Sequence, residues 1–172
     1  MESDPRQISF VTPLAVSLIL YALLALLDTS RNSGFLSIPD WLLNAFSIIA
    51  AMASVWVGII LILKKDTRMN LGLITLAIFA VLNGIVLALI TINTDFPSHF
   101  FTVPGIMSLV AGMFFVFQGE TWKHLRTITL AGFLIFICPL YFGVDETIGI
   151  YAFSIITAGF ALLSGIFFFL RK

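Results

Sequence analysis

Charge is what this sequence has least of. Only 10% of its 172 residues are charged and 60% are hydrophobic, where an ordinary soluble domain carries roughly 25% charged residues. Water is therefore excluded as the main solvent, and a lipid bilayer is expected instead. The nine basic and nine acidic residues cancel, so the chain has no electrostatic footprint for nucleic acid. A single cysteine, Cys138, stands inside an apolar run, which excludes an intrachain disulfide and a cysteine-based metal cluster. No haem-ligand pair, glycine-rich phosphate loop or metal-ligand spacing occurs, and no cofactor or metal is expected. Met1 to Gln7 hold Glu2 and Asp4 beside Arg6, and no small-residue cleavage site follows the first apolar run. A cleaved signal peptide is thereby disfavoured.

Long apolar runs are abundant. A bilayer core about 30 Å thick needs roughly 20 apolar residues at 1.5 Å each. Such windows occur near Phe10 to Leu27, Trp41 to Leu63, Leu71 to Thr91, His99 to Gln118, His124 to Phe142 and Ile148 to Leu170. The predicted fold is all-α: a polytopic membrane protein of six transmembrane helices, forming one domain over residues 1–172. The longest connector, Asp28 to Asp40, contains the turn formers Asn32, Ser33, Gly34 and Pro39.

Positive residues are retained on the cytoplasmic side of a membrane. Arg6, Lys64, Lys65, Arg68, Lys123, Arg126, Arg171 and Lys172 fall on one face and Arg31 alone on the other. This distribution predicts a plasma-membrane protein with both termini cytoplasmic. Asp28, Asp40, Asp95, Asp145 and Glu146 make the opposite face acidic, with His99 among them. Below about pH 4 the histidine would be charged and many carboxylates would begin to neutralise, reversing the sign of that rim. Trp41 and Trp122 fall at predicted helix ends, where amphipathic rings favour the headgroup region.

The sequence also repeats itself. FSIIAAMASVWVGIILILKK from Phe46 aligns without a gap on FSIITAGFALLSGIFFFLRK from Phe153, and Phe46, Phe100 and Phe153 recur at spacings of 54 and 53. Gly58, Gly112 and Gly165 recur in the same register, and four residues before them stand Ser54, Ser108 and Ala161. A small residue, three others and a second small residue let helix backbones approach closely where lipid offers no hydrophobic drive. Three repeated hairpins are predicted, near 10–63, 71–118 and 124–170, with these ridges as internal packing seams or as a surface for self-association.

An ionisable residue inside a span would mark a functional site. Every Asp, Glu, Lys and Arg lies at or beyond a predicted helix end, and so do His99 and His124, which speaks against ion-coupled transport. The span serines have no intramembrane base to activate them, so no enzyme is expected. The neutral polar residues include Asn44 and Asn83; Asn83, in the middle of the third span, must find partners inside the bundle or line a pore. Pro139, next to Cys138, removes a backbone donor and is expected to kink the fifth span or to end its regular part early. The eighteen phenylalanines, clustered at Phe114 to Phe117 and Phe167 to Phe169, read as packing and lipid-facing groups.

The last hairpin, LAGFLIFICPLYFGVDETIGIYAFSIITAGFALLSGIFFFLRK from Leu130, resembles the HdeD-like family, as does the middle one through LGLITLAIFAVLNGIVLAL and PGIMSLVAGMFF. The first hairpin departs from that pattern, lacking the proline and having a longer outer loop. CPLYFG in the fifth span is also similar to the SPW repeat of other small membrane proteins. The HdeD resemblance implies six spans in three hairpins and a part in acid or envelope stress, with no catalytic residue to carry over. The expected function is thus a non-enzymatic membrane protein that acts through helix packing in the lipid bilayer, alone or as a homo-oligomer. Two alternatives stand beside it: an accessory subunit of a larger membrane complex, respiratory or oxygenase-like, and a channel for a small neutral solute.

Overall fold

In a computed structural model the described residues are 11–64, 70–92, 99–117, 125–142 and 149–170. Among them the chain forms six α-helices and no strand: α1 Val11–Asn32, α2 Asp40–Leu63, α3 Leu71–Ile92, α4 His99–Phe117, α5 Leu125–Tyr141 and α6 Gly149–Phe169. Arg6, Lys65, Arg68, Asp95, Gln118, Trp122, Lys123, His124, Asp145, Glu146, Arg171 and Lys172 lie outside the described residues, as do the side chains of His99 and Arg126.

Four segments are long and apolar enough to cross a membrane: Val11–Asn32, Asp40–Leu63, Leu71–Ile92 and Ala152–Phe169. Phe101–Phe117 and Thr127–Tyr141 are shorter apolar helices. The surface is inverted relative to a soluble bundle. Along α2 the outward side chains are Ile48, Ile49, Met52, Trp56, Ile59 and Ile62, all exposed, whereas Ser54 is 5% exposed. Polar groups turned inward and large apolar ones turned outward minimise free energy only when the solvent is itself apolar.

The first helix corrects the sequence reading, which ended it at Leu27. It runs to Asn32, since nothing from Asp28 to Arg31 breaks a helix, and stops at Gly34. Gly34 adopts φ 73°, the left-handed conformation that glycine takes without a Cβ clash. Its N–H bonds to Arg31 O at 2.9 Å and that of Phe35 to Ser30 O at 3.0 Å, the paired bonds of a Schellman motif. Asp28 and Arg31 thus lie on a helix, not in a loop. Pro39 N-caps α2 in an extended conformation, and Asn70 caps α3 by accepting the Leu73 N–H on its side chain at 3.2 Å. Pro104 and Pro139 lie inside α4 and α5, and α5 ends two residues beyond Pro139.

Each helix packs on its neighbours in chain order and α6 packs on α1, closing a ring. Across the middle, aromatic side chains of the odd-numbered helices meet edge to face: Tyr21 with Phe133 at 5.3 Å between centroids, Phe79 with Phe133 at 6.5 Å, and Phe79 with Tyr141 at 6.4 Å. The centre of the ring is therefore filled by side chains rather than by a seventh helix.

Candidate functional site

The small-residue ridges sit where α2 meets α3, α4 meets α5 and α6 meets α1. A Cβ on Gly58 would lie 2.8 Å from Ala77 O and 2.5 Å from Val81 Cγ2; on Gly112, 3.3 Å from Ala131 O and 2.8 Å from Ile135 Cγ1; on Gly165, 3.0 Å from Ala15 O and 2.7 Å from Ile19 Cγ1. In each case an even-numbered helix presses its glycine on an alanine carbonyl and a branched side chain one turn later, on α3, α5 and α1 in turn. Ala161 and Ser108 are fully buried in the same even-numbered helices. Ser108 donates to Gly105 O of its own helix at 2.7 Å. These ridges are occupied within the chain.

Asn83 is 4% exposed and joins three helices. Its Nδ2 donates to Ser54 Oγ at 3.2 Å, Ser54 donates to Ala80 O at 2.8 Å, and the Tyr141 hydroxyl donates to Asn83 Oδ1. Gly105 makes room for Tyr141, whose Cβ would lie 2.9 Å from a Cβ at that glycine. A buried amide left without partners would cost roughly 1 to 3 kcal/mol, and here both its ends are engaged. The sequence reading named Asn83 and Ser54 but not Tyr141 or Tyr21. The signal was present: a phenol inside a span is a polar group that needs a partner, just as an amide is.

Above this cluster lies a vestibule of about 840 Å³, opening where α1 ends and α2 begins. Helical periodicity builds its wall. Tyr21, Leu24, Ala25, Asp28 and Arg31 share one face of α1, and Asp40, Leu43, Asn44 and Ser47 share one face of α2. Leu87, Ile90 and Thr91 of α3, Leu140 of α5 and Ser154 of α6 complete it. Asn44 is exposed here, away from the Asn83 cluster. Arg31 forms an ion pair with Asp40 at the rim.

Tyr21 also lines a second, inner cavity of about 30 Å³, with Ser17, Ser54, Asn83, Phe79 and Phe133 among its walls. That volume holds about one or two waters. Leu14, Leu18, Val57 and Leu76 line the same inner cavity, and with Leu61 and Leu134 they form a buried apolar layer around it and toward the other end of the bundle. The arrangement is a cup: polar at the rim, mixed along its wall, floored by Tyr21 and closed beneath.

A helical ring with an apolar exterior, and with four helices long enough to cross a membrane, is the build of a membrane protein. No protein-family model, curated protein or solved structure matches the chain.

Proposed function

We propose that this is a six-span, non-enzymatic plasma-membrane protein of three repeated hairpins, which receives a small molecule in a vestibule open on the non-cytoplasmic side. The vestibule carries the reading: about 840 Å³ lies in the range of small-molecule sites. The thrice-repeated contact of Gly58, Gly112 and Gly165 with the next odd-numbered helix supports the repeat. The charge distribution supports cytoplasmic termini. The hydroxyls of Ser54 and Tyr141 are committed to a main-chain carbonyl and an amide, not to a base that would activate them, which supports a binding role over a catalytic one.

The aromatic plug and apolar layer beneath Tyr21 favour binding over passage; a solute channel would require both to part. Labelling in sealed right-side-out vesicles tests the reading. In a Cys138→Ala background, Asn44→Cys and Ser47→Cys are expected to react with a membrane-impermeant thiol reagent and Leu61→Cys to resist it. Unreactive Asn44→Cys and Ser47→Cys would remove the open vestibule. Proteoliposomes are expected to show no flux of small neutral solutes, and a flux abolished by widening Tyr21 to Trp would favour the channel. An HdeD-like stress role predicts that deletion lowers survival in acid, and replacing Asp28, Asp40, Asp95, Asp145 and Glu146 by amides would separate rim charge from the rest.

A further inference from the structure

We infer that the vestibule selects an organic cation: an ammonium group with a compact apolar body. The inference rests on the vestibule reading above. Of the three charged residues lining the cavity, Arg31 is paired with Asp40. Asp28, one turn below Arg31 on the same face of α1, forms no ion pair of its own among the described residues. One unbalanced carboxylate therefore faces the space. Beneath it Leu24, Leu43, Leu87 and Leu140 line the wall beside Ser47 and Ser154, and Tyr21 lies at the floor.

Asp28 follows Tyr21 by seven residues, about 10 Å along a helix. A ligand of that length can set its charged end against the carboxylate and its apolar end on the leucines and the phenol. An aromatic face also attracts cations. An anion would meet Asp28 with like charge and would have to displace Asp40 from Arg31. A neutral molecule would gain the apolar contacts and the polar groups of Asn44, Ser47, Thr91 and Ser154, but no charge pairing with Asp28.

The test uses the full chain in nanodiscs and three probes of similar size: phenethylammonium, 2-phenylethanol and phenylacetate. Binding is followed by calorimetry against empty nanodiscs. The cation is expected to bind tightest, and Asp28→Asn to weaken it about tenfold while leaving 2-phenylethanol unchanged. Raising salt toward 1 M, where the Debye length falls to about 3 Å, is expected to weaken the cation only. Ala25→Trp, which fills the wall, is expected to abolish binding of every probe.

Equal affinity for cation and alcohol, preference for phenylacetate, or a cation affinity indifferent to Asp28→Asn would overturn the inference. So would cation binding that survives Ala25→Trp, which would place it elsewhere. If no probe binds while Asn44→Cys and Ser47→Cys still label, the cation site falls and the vestibule stands; if labelling also fails, both fall.

Discussion

At the scale of the residue, the Asn83 cluster is where sequence and chemistry constrain each other most. Asn83 accepts from Tyr141 and donates to Ser54, which in turn donates to Ala80 O. Hydrogen bonds between helices in a membrane average about 0.6 kcal/mol, but an orphaned buried group costs more than a lost bond gains. Asn83→Leu, which strands the Tyr141 hydroxyl, is expected to lower stability by about 1 to 2 kcal/mol, read from reversible denaturation in mixed micelles. Adding Tyr141→Phe to Asn83→Leu should recover part of that loss, since an apolar pair leaves nothing unsatisfied. A double variant less stable than the sum of the singles would show that the tyrosine hydroxyl has another use. At the rim, the Arg31 and Asp40 side chains are 40% and 76% exposed, so Asp40→Asn is expected to change stability by less than about 1 kcal/mol.

At the scale of the element, close approach decides which small residues matter. A Cβ on Gly58 would meet backbone on α3, whereas one on Gly159 would meet nothing within 4 Å. Gly58→Ala is therefore expected to destabilise by about 1 to 3 kcal/mol through overpacking. Gly159→Ala should be neutral or slightly stabilising, because alanine favours the helix. Thermal unfolding of both variants in one detergent makes the comparison, and equal behaviour would refute the seam. Gly84 belongs with Gly58: its missing Cβ faces Ala51 O at 2.6 Å across the same pair of helices. It falls outside the 54- and 53-residue register and was invisible to a search for repeats. Thr157 likewise links α6 to α5, its hydroxyl proton shared between Phe153 O of its own helix at 2.7 Å and Phe136 O at 3.1 Å, a contact that composition could not assign.

At the scale of the whole molecule, the ring is closed by α1 against α6, the two helices farthest apart in sequence. Ala15 and Gly165 mark that seam. In the Cys138→Ala background, Ala15→Cys with Gly165→Cys is expected to form an intrachain cross-link under mild oxidation. After protease cleavage at a site engineered into the 65–69 connector, the two fragments should stay joined. Fragments that separate would show an open arc rather than a ring.

Apolar runs long enough for a bilayer, the scarcity of charge and the recurring glycines are properties of the chain in one dimension, and the sequence alone determined them: an all-helical protein for an apolar solvent. The α1 boundary slipped because the fall in hydropathy at Asp28 marks where apolar residues end, while hydrogen bonding continues to the Gly34 stop. The sequence could state that Asn83 needs partners; it could not choose Ser54 and Tyr141, which stand 29 and 58 residues away. Helical phase around a closed ring turned Tyr21, Asp28, Asp40 and Asn44 toward one space. A cavity is a property of several faces at once, so only the tertiary structure could decide that the rim charges and Tyr21 share a vestibule.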